Sequence, residues 1–268
     1  MRLLLTGAVA LLFSMPANAQ LAPPNAAGVT FAHVHLNVTD IDVHTKIWVE
    51  QFGGVAVQKG SLATVRFPNM LVVFTERTPT GGSQGTVMDH FGFKVRNMAE
   101  VLASWRAAGL EVQSEFTGAE GYANAYVVAP DGVRFELQED PQLPMKAAGY
   151  HIHFFAPDYL ELLDWYVDIF SGVQASRGNI ETTVNIPGQN LSFANSQTQR
   201  EPTQGRAIDH IGFEVDDLEP FIQRLEARGI EFQLGYTVID SIELAIAFFV
   251  DPSGVRIELT EGFDEYYP

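Results

Sequence analysis

The sequence contains no cysteine among its 268 residues. Disulfide bonds, a thiolate nucleophile and cysteine-ligated zinc or iron–sulfur sites are therefore excluded. Any metal chemistry must rest on histidine and carboxylate side chains. The chain has seven histidines, so their positions decide whether such chemistry is available.

Positive charge is also scarce. The chain carries 16 Lys+Arg against 33 Asp+Glu, which gives a formal net charge of −17. A nucleic-acid partner requires a basic surface that neutralises phosphates, and an anionic membrane surface attracts basic segments. The composition argues against both partners. Because 46% of the residues are hydrophobic, the chain has enough apolar surface to fold around a core.

The sequence has no apolar run long enough to span a bilayer. The N-terminal run, Leu3–Phe13, has 11 residues, whereas a spanning helix needs about 20. Arg2 precedes this run, Pro16 ends it and a small-x-small site follows at Ala17–Ala19. This is the pattern of a Sec secretory signal cleaved after Ala19. We therefore predict a signal peptide at residues 1–19, an unstructured leader at 20–28 and a mature protein in the periplasm.

Four segments of the chain repeat one pattern, in which a strand is followed by a polar cap, a helix and two or three further strands. The first strands read FAHVHLNVTD from Phe31, MDHFGFKVRN from Met88, GYHIHFFAPD from Gly149 and IDHIGFEVDD from Ile208. The predicted helices are Ile41–Phe52, Met98–Ala108, Tyr159–Phe170 and Leu218–Ala227. The sequence thus predicts an α+β fold of four βαβββ units.

A second, longer repeat spans two of these units. His33 and His151 are 118 residues apart, His90 and His210 are 120 apart, and the closing-strand glutamates are 122 apart. This near-constant offset predicts two tandem domains, at residues 29–140 and 149–262, with a linker at 141–148 and a tail at 263–268. The sequence leaves open which units pair and whether the protein is a monomer or a homodimer.

Strand alternation places the histidines on one face of the sheet. Side chains in a strand alternate between faces, and the apolar set Val34, Leu36 and Val38 must pack against the helices. The opposite, concave face then carries six of the seven histidines: His33, His35, His90, His151, His153 and His210. The closing strands APDGVRFELQ and DPSGVRIELT place Glu136 and Glu258 on the same face.

Each predicted domain thus offers first-strand histidines and one glutamate that can converge. Two histidines and one carboxylate form a divalent-metal site with open positions for water or substrate. Zn(II), Mn(II) and Fe(II) suit these ligands, and Ni(II) is compatible; acquisition of the metal after export favours Zn(II) or Mn(II). The alternative is that each histidine only begins a strand and bonds a backbone carbonyl. Recurrence of the histidines and glutamates favours the metal site.

The histidine-bearing first strands and the closing runs APDGVRFEL and DPSGVRIEL resemble the vicinal oxygen chelate superfamily. This family includes glyoxalase I, fosfomycin-resistance and bleomycin-binding proteins, and extradiol dioxygenases. The resemblance covers residues 30–262 and implies paired βαβββ units that form a half-open barrel around a divalent cation. Carried over position by position, it implies metal ligands in both domains: His33, His90 and Glu136 in the first, and His151, His210 and Glu258 in the second.

The chain departs from two members of this family. Glyoxalase I has a fourth metal position, usually Glu, where alignment places Phe74 in the first domain and Phe193 in the second. Because phenylalanine neither binds metal nor takes a proton, the standard glyoxalase I mechanism is not expected. Extradiol dioxygenases use a further His and a Tyr near the closing strands. The chain has Phe248 at the tyrosine position in the second domain and Tyr126 in the first, with no histidine nearby in sequence.

Two of the six concave-face histidines are left over from the implied ligand sets. His35 and His153 each lie two residues beyond a ligand on the same face, about 6–7 Å away at the strand rise. Each is a candidate general base, since the histidine pKa lies near working pH. The alternative is a rim histidine that holds a neighbour in place. Arg134 and Arg256, two residues before the glutamates, could hold an anionic substrate or pair with local acids.

These inferences predict an exported, divalent-metal-dependent enzyme that chelates a small oxygen-bearing substrate. A glyoxalase-like lyase or isomerase is the leading hypothesis, with His35 or His153 moving the proton, and an extradiol-type dioxygenase is the alternative. A different class is a periplasmic binding protein of the bleomycin-resistance type, which sequesters a molecule without turnover. In each case the expected partner is a small molecule.

Overall fold

The computed structural model describes residues 21–263, which form four βαβββ units. Unit one comprises β1 (Val29–Val38), α1 (Ile41–Phe52), β2 (Val55–Lys59), β3 (Leu62–Phe67) and β4 (Met70–Glu76). Unit two comprises β5 (Met88–Val95), α2 (Met98–Ala107), β6 (Glu111–Thr117), β7 (Ala123–Ala129) and β8 (Val133–Glu139). The predicted signal peptide at 1–19 lies outside the described residues, as does the tail after Phe263.

The second half of the chain repeats the same order. Unit three comprises β9 (Ala147–Ala156), α3 (Tyr159–Phe170), β10 (Val173–Arg177), β11 (Ile180–Ile186) and β12 (Gln189–Asn195). Unit four comprises β13 (Ile208–Val215), α4 (Leu218–Glu226), β14 (Phe232–Ile239), β15 (Leu244–Val250) and β16 (Arg256–Glu261). The predicted α+β class and the four-unit organisation are confirmed.

Local signals account for the helix bounds. Helices α1 and α3 have the predicted bounds, and α2 and α4 each end one residue earlier. The Asp40 side chain caps α1 by accepting a hydrogen bond from the Val43 N–H, and Gly53 ends the helix in the left-handed conformation. At the end of α3 the left-handed residue is Ser171, not the glycine that follows. Within residues 21–263, no helix is long and apolar enough to cross a membrane.

The strands form two eight-stranded sheets. One has the order β14-β15-β16-β13-β1-β4-β3-β2 and contains units one and four; the other has the order β10-β11-β12-β9-β5-β8-β7-β6 and contains units two and three. Antiparallel pairing of β1 with β13, and of β5 with β9, joins the two units of each sheet. Within each unit the last strand runs parallel to the first.

This pairing differs from the pairing of consecutive units that tandem domains suggest. Segments 29–140 and 149–262 each contain two units, but neither segment forms a sheet of its own. The physical reason lies in the short connection at residues 140–146, which brings β9 back antiparallel beside β5. The edge of β5 is then occupied, so units one and four pair with each other.

One apolar core joins the four units. The Trp48 ring of α1 lies 5.8 Å from the Phe91 ring and 5.0 Å from the Phe135 ring, so the helix of unit one packs on strands of unit two. In α3, Phe170 stacks on Phe213 of unit four at 4.1 Å. Because these rings fill the space behind both sheets, each sheet presents its other face as a concave surface.

The predicted leader, residues 20–28, has no helix or strand in its described part, residues 21–28. Its last residues nevertheless make specific contacts. The Asn25 side chain donates a hydrogen bond to the Phe170 carbonyl at 2.9 Å and accepts one from the Val29 N–H at 3.2 Å. The chain is therefore held against the end of α3 before β1 begins.

Candidate metal centres

The concave face of the first sheet carries a cluster that we call centre I: His33, His35, His210 and Glu258. One ligand-capable atom from each residue lies within 4.8 Å of the others. The Nε2 atoms of His33 and His210 approach the same carboxylate oxygen, Glu258 Oε2, at 2.9 and 3.0 Å. Two imidazoles and a carboxylate from two different units thus converge on one buried point.

The second sheet carries the matching centre II: His90, Glu136, His151 and His153. The Nε2 atoms of His90 and His151 each lie 3.2 Å from Glu136 Oε2. The amide of Asn124 donates a hydrogen bond to the other oxygen of Glu136. Both centres therefore have the same arrangement of two imidazole nitrogens around one carboxylate oxygen.

Strand register brings these residues together. In the antiparallel pairing of β1 with β13, His35 lies opposite His210 and His33 lies opposite Gly212. Strand β16 runs parallel to β13 and places Glu258 beside Gly212. Strands β5, β8 and β9 repeat this register in centre II. The cluster is thus a product of three adjacent strands, two of them from one unit.

The grouping of ligands that the resemblance implied is wrong. It placed His33 with His90 and Glu136, and His151 with His210 and Glu258. The structure instead brings His33 to His210 and Glu258, and His151 to His90 and Glu136. The six residues are those expected, but unit one pairs with unit four and unit two with unit three, so the first-strand histidines change partners. That these residues bind a metal remains a prediction.

Two glycines make room for the ligand rings, and the sequence reasoning gave them no role. A Cβ atom on Gly212 would lie 1.9 Å from Cε1 of His33, and a Cβ on Gly92 would lie 2.1 Å from Cε1 of His151. Any larger residue would overlap the ring. The signal was present in the sequence, because units two and four share the pattern His-x-Gly where units one and three have His-x-His.

In each centre one aspartate orients one histidine. The sequence reasoning also gave these two aspartates no role. Asp209 Oδ1 accepts a hydrogen bond from His210 Nδ1 at 2.6 Å, and Asp89 Oδ1 accepts one from His90 Nδ1 at 3.0 Å. A proton held on Nδ1 leaves the Nε2 lone pair facing the centre, which is how metal-binding histidines are commonly oriented. The repeated dipeptide Asp-His in units two and four could have revealed them.

The two arginines that precede the glutamates form ion pairs with these aspartates. Arg256 donates to Asp209 at 2.9 Å, and Arg134 donates to Asp89. Their guanidinium groups also lie over aromatic rings, Arg134 at 3.7 Å from the Tyr126 centroid and Arg256 at 3.9 Å from that of Phe248. Of the two roles considered for these arginines, the structure supports pairing with local acids.

The fourth metal position of glyoxalase I falls on different residues from those expected. In β4 it is Val73, not Phe74, that pairs with His35 and shares its face, since Phe74 belongs to the apolar core. In β12 the corresponding residue is Ser192, not Phe193. The alignment that placed Phe74 and Phe193 at this position was one residue out of register, which reverses the face of a strand. Neither centre gains a second carboxylate.

His35 and His153 lie next to the ligand sets, and both are half-buried. His35 Nε2 is 2.7 Å from Thr75 Oγ1, and its ring stacks on His210 with centroids 4.3 Å apart. The His153 ring stacks on Phe155 at 4.5 Å, and its Nδ1 has no hydrogen-bond partner among the described residues. Both positions suit either a base at the substrate or a fourth ligand.

The electrostatics hold the donors in the form that a cation requires. Burial lowers the pKa of His33, and burial together with the charge of Arg177 lowers the pKa of His151 to about 4, so both rings are neutral at pH 7. Burial alone would raise the pKa of Glu258, but hydrogen bonds from His210 and His33 hold it well below the usual range. Glu136 is held low in the same way. Neutral imidazoles thus face ionised carboxylates.

His210 is the exception among these histidines. Burial lowers its pKa, but hydrogen bonds to Asp209 and Glu258 outweigh this and raise the pKa above 6.5. In the metal-free protein His210 therefore holds its proton more strongly than the other histidines with shifted pKa values. A cation at Nε2 would displace that proton, because metal ligands must be deprotonated.

The donor set fits a divalent cation. Nδ1 of His33 and Nδ1 of His151 are buried and make no hydrogen bond within residues 21–263. In centre I two Nε2 atoms lie 2.9 and 3.0 Å from the same carboxylate oxygen. These donors match the ligand type of Zn(II), Mn(II), Fe(II) and Ni(II) sites, and the absence of thiolates removes the softest metals. His33, His210 and Glu258 would hold the ion in centre I, and His90, His151 and Glu136 in centre II.

The shifted pKa values predict how the metal-free protein responds to acid. Burial lowers the folded-state pKa of His33, His35, His151 and His153, so the unfolded chain binds more protons below pH 6.5. The stability that these groups contribute is present above pH 6.5 and is lost as the pH falls towards about 4. His151 alone should cost about 2 kcal/mol by pH 5, and the raised pKa of His210 offsets part of the total.

Urea unfolding with a chelator at pH 7.5 and pH 5 measures this loss. A His151→Gln variant is the matched comparison, since it should show a shallower dependence on pH. Equal free energies of unfolding at the two pH values in the unmodified chain would contradict the prediction.

A small cavity adjoins centre I. Its volume is about 170 Å³, and His35, His210 and Glu258 line one side of it. Apolar side chains form the rest of the wall: Leu62, Val73, Ile239, Ile242, Leu244, Ile246, Phe248 and Phe263. A cavity of about 150 Å³ with apolar walls holds a benzene-sized molecule. Centre I can therefore admit a small molecule whose polar end reaches the histidines.

Comparisons with known proteins agree with this architecture. Residues 150–259 match the model of the Glyoxalase/Bleomycin resistance protein/Dioxygenase superfamily. Glyoxalase I from Zea mays superposes with a TM-score of 0.68 at 16% identity, over 88% of this chain and 93% of that one. A mutant form of the same maize enzyme gives 0.69 at 15% identity, over 88% and 95%. A proposed dioxygenase from Bacillus subtilis subsp. subtilis str. 168 gives 0.66 at 12% identity, over 90% and 86%. A search of curated proteins found no match.

The fold and the two centres define a class: two glyoxalase-like modules, each with a histidine–glutamate cluster on its concave face. Residues 150–259 match the glyoxalase/bleomycin resistance/dioxygenase, or vicinal oxygen chelate, superfamily, and the described chain as a whole has a fold similar to that of maize glyoxalase I. The family model matches units three and four, and units one and two share their βαβββ order.

Proposed function

We propose that the chain is an exported, divalent-metal-dependent enzyme that binds a small substrate through adjacent oxygens and moves a proton on it. The observation that carries the proposal is centre I, where two of the three buried donors, His210 and Glu258, line one cavity together with the additional histidine, His35. A pure binding protein would have no need of two such donor sets. Export is supported by the signal-like pattern of residues 1–19.

The substrate would enter centre I with its oxygens towards His33, His210 and Glu258. A divalent cation held by these residues would act as a Lewis acid and stabilise charge that develops on a substrate oxygen. The apolar wall excludes water, which strengthens the electrostatic interactions inside the cavity. The cavity volume of about 170 Å³ limits the substrate to a few carbon atoms or one ring.

His35 is the base that the geometry favours in centre I. Its ring lines the cavity, and the Thr75 hydroxyl fixes its orientation at 2.7 Å. Burial lowers its pKa, so the ring is neutral and accepts a proton at pH 7. The proton moves from the substrate carbon to His35, the C–H electron pair forms a C=C bond and the carbonyl π pair moves to oxygen. Return of the proton from His35 to the former carbonyl carbon, with the hydroxyl proton passing to the former carbonyl oxygen, gives an isomer. This is lyase or isomerase chemistry of the glyoxalase-like kind.

Proton exchange tests this function without knowledge of the product. The protein is loaded in turn with Zn(II), Mn(II), Fe(II) or Ni(II) and incubated with small α-hydroxy ketones and aldehydes in D₂O. We expect NMR to show deuterium entering the carbon next to the carbonyl. His35→Gln should slow the exchange at least about 100-fold, the usual contribution of general base catalysis, while the cation stays bound. Absence of exchange with every metal would contradict the proposal.

A dioxygenase is the second candidate, and it is favoured by centre II. The Tyr126 ring lies 5.0 Å from His90, and the His153 ring lies 4.9 Å from the same residue. The sequence offered no histidine near Tyr126, but the pairing of units two and three supplies one. Oxygen uptake with catechol by the Fe(II)-loaded protein would support this candidate. Binding without exchange or oxygen uptake would instead support sequestration of the bleomycin-resistance type.

A further inference from the structure

Arg177, at the end of β10, is a buried cation without an acidic partner. Its side chain is 6% exposed. Its Nε donates to Ser192 Oγ at 3.3 Å, and its guanidinium lies 5.4 Å from the centroid of the Tyr150 ring. Within residues 21–263, no aspartate or glutamate forms an ion pair with it. The described part of the chain offers Arg177 an acid only through the Tyr150 hydroxyl, which donates to Glu120, so a bound anion would neutralise charge that costs free energy to bury.

The guanidinium faces centre II. In the parallel pairing of β9 with β12, Ser192 lies beside His153 and therefore on the concave face. Ser192 holds the position that corresponds to Glu136 in β8 and Glu258 in β16. Centre II thus has an anionic corner at Glu136 and, through the contact of Arg177 with Ser192, a cationic corner on the opposite unit.

Centre I differs at the strand position that Ser192 occupies, although β2 ends on a buried lysine, Lys59, where β10 ends on Arg177. Val73 stands where Ser192 stands in centre II, and the cavity beside it is lined by aliphatic and aromatic side chains. Around centre II the neighbours are polar: Tyr150 donates a hydrogen bond to Glu120, and Asn190 donates to Thr183 at 3.0 Å. The two centres share a donor set, so the difference between them lies in what they can hold beside it.

We propose that Arg177 anchors the carboxylate of a small chelating substrate, so that centre II takes 2-oxo or 2-hydroxy carboxylates. The proposal rests on the metal-binding function proposed above. A carboxylate with a neighbouring oxygen would present two oxygen ligands to a cation held by His90, His151 and Glu136, and Arg177 would neutralise the remaining charge through hydrogen bonds. The 2-oxo or 2-hydroxy group supplies the adjacent oxygen.

A pair of matched probes tests the assignment. Pyruvate and diacetyl have nearly the same shape, but only pyruvate carries a carboxylate. The Glu258→Gln variant loaded with Mn(II) isolates centre II, and titration calorimetry gives the dissociation constants. We expect pyruvate to bind at least tenfold more tightly than diacetyl. Adding Arg177→Gln should raise the dissociation constant of pyruvate at least tenfold, as loss of a charged hydrogen bond does. The same change should alter the dissociation constant of diacetyl less than twofold.

Controls separate this role from a structural one. Arg96→Gln removes an exposed arginine directly after β5 and should change neither dissociation constant. Arg177→Lys keeps the charge and should retain part of the preference for pyruvate; it also serves if Arg177→Gln does not fold. The proposal is overturned if the Mn(II)-loaded protein binds pyruvate no better than diacetyl. If centre II takes up no cation at all, the metal content reveals that the proposed function has failed, and this assignment fails with it.

Discussion

Glu136→Gln is expected to abolish cation binding at centre II while centre I stays loaded. The glutamate contributes the only carboxylate among the four members of this cluster, and both neighbouring imidazoles point at its Oε2 atom. An amide carries no charge to balance the cation, and one of its two terminal groups is an NH₂ that donates hydrogen bonds and does not bind a cation. Loss of an outer hydrogen-bond partner typically costs about 10–100-fold in metal affinity, so loss of this direct ligand should cost more than about 100-fold.

The symmetry of the fold supplies the matched experiment. Glu258→Gln should abolish binding at centre I alone, and the double variant should bind no cation at either cluster. Elemental analysis after dialysis gives the number of ions per chain, which should fall from two to one in each single variant and to none in the double variant. Glu219→Gln, which removes an exposed acid from α4, is the control. Full cation content in the double variant would show that these clusters are not metal sites.

Gly212→Ala is expected to disrupt centre I without replacing any of the donor residues. The new methyl group would lie 1.9 Å from Cε1 of His33, well inside contact distance. The ring is fully buried and packs against Phe263 at 4.9 Å, so it has no free space to move into. We expect a loss of about 1–3 kcal/mol in unfolding free energy, the usual cost of overpacking, together with loss of the cation from centre I.

Comparison with another glycine isolates the steric effect. Gly235→Ala also lies in a strand, but no atom lies within 4 Å of its added Cβ, so stability should change by less than about 0.5 kcal/mol. Gly92→Ala should reproduce the effect at centre II, where the added atom lies 2.1 Å from His151. Adding His33→Ala to Gly212→Ala should recover part of the stability but not the cation. Normal stability and cation content in Gly212→Ala would mean that the ring is not fixed there.

Much of the candidate site follows from local sequence patterns. Alternation within each strand assigns His33 and His35 to one face and Val34 to the other, and the same rule places Glu136 and Glu258. The rule works because neighbouring side chains in a strand point to opposite faces regardless of the partner strand. It failed for Phe74 and Phe193, where the alignment between units was shifted by one residue and the face was reversed.

For other residues of the site, no local sequence pattern predicts which partner the side chain contacts. Asp209 belongs to the core-facing positions by alternation, yet its carboxylate turns to bond His210 Nδ1 at 2.6 Å. Arg177 lies at the end of a short strand, and only packing places it next to Ser192. Side chains with several rotatable bonds take the direction that their neighbours allow, so their partners cannot be read from spacing alone.

The sequence by itself determined the four βαβββ units, the helix bounds and the concave face that carries the histidines and glutamates. These depend on periodicity and capping, which act over a few residues. Tertiary structure alone decided that His33 meets Glu258 and that His151 meets Glu136. Pairing between units is a competition for strand edges across more than 100 residues, and the return of β9 beside β5 settles it for both sheets. The sequence repeat is compatible with pairing of consecutive units and with pairing of unit one with four and unit two with three. It therefore identifies the donor residues but not which of them share a centre.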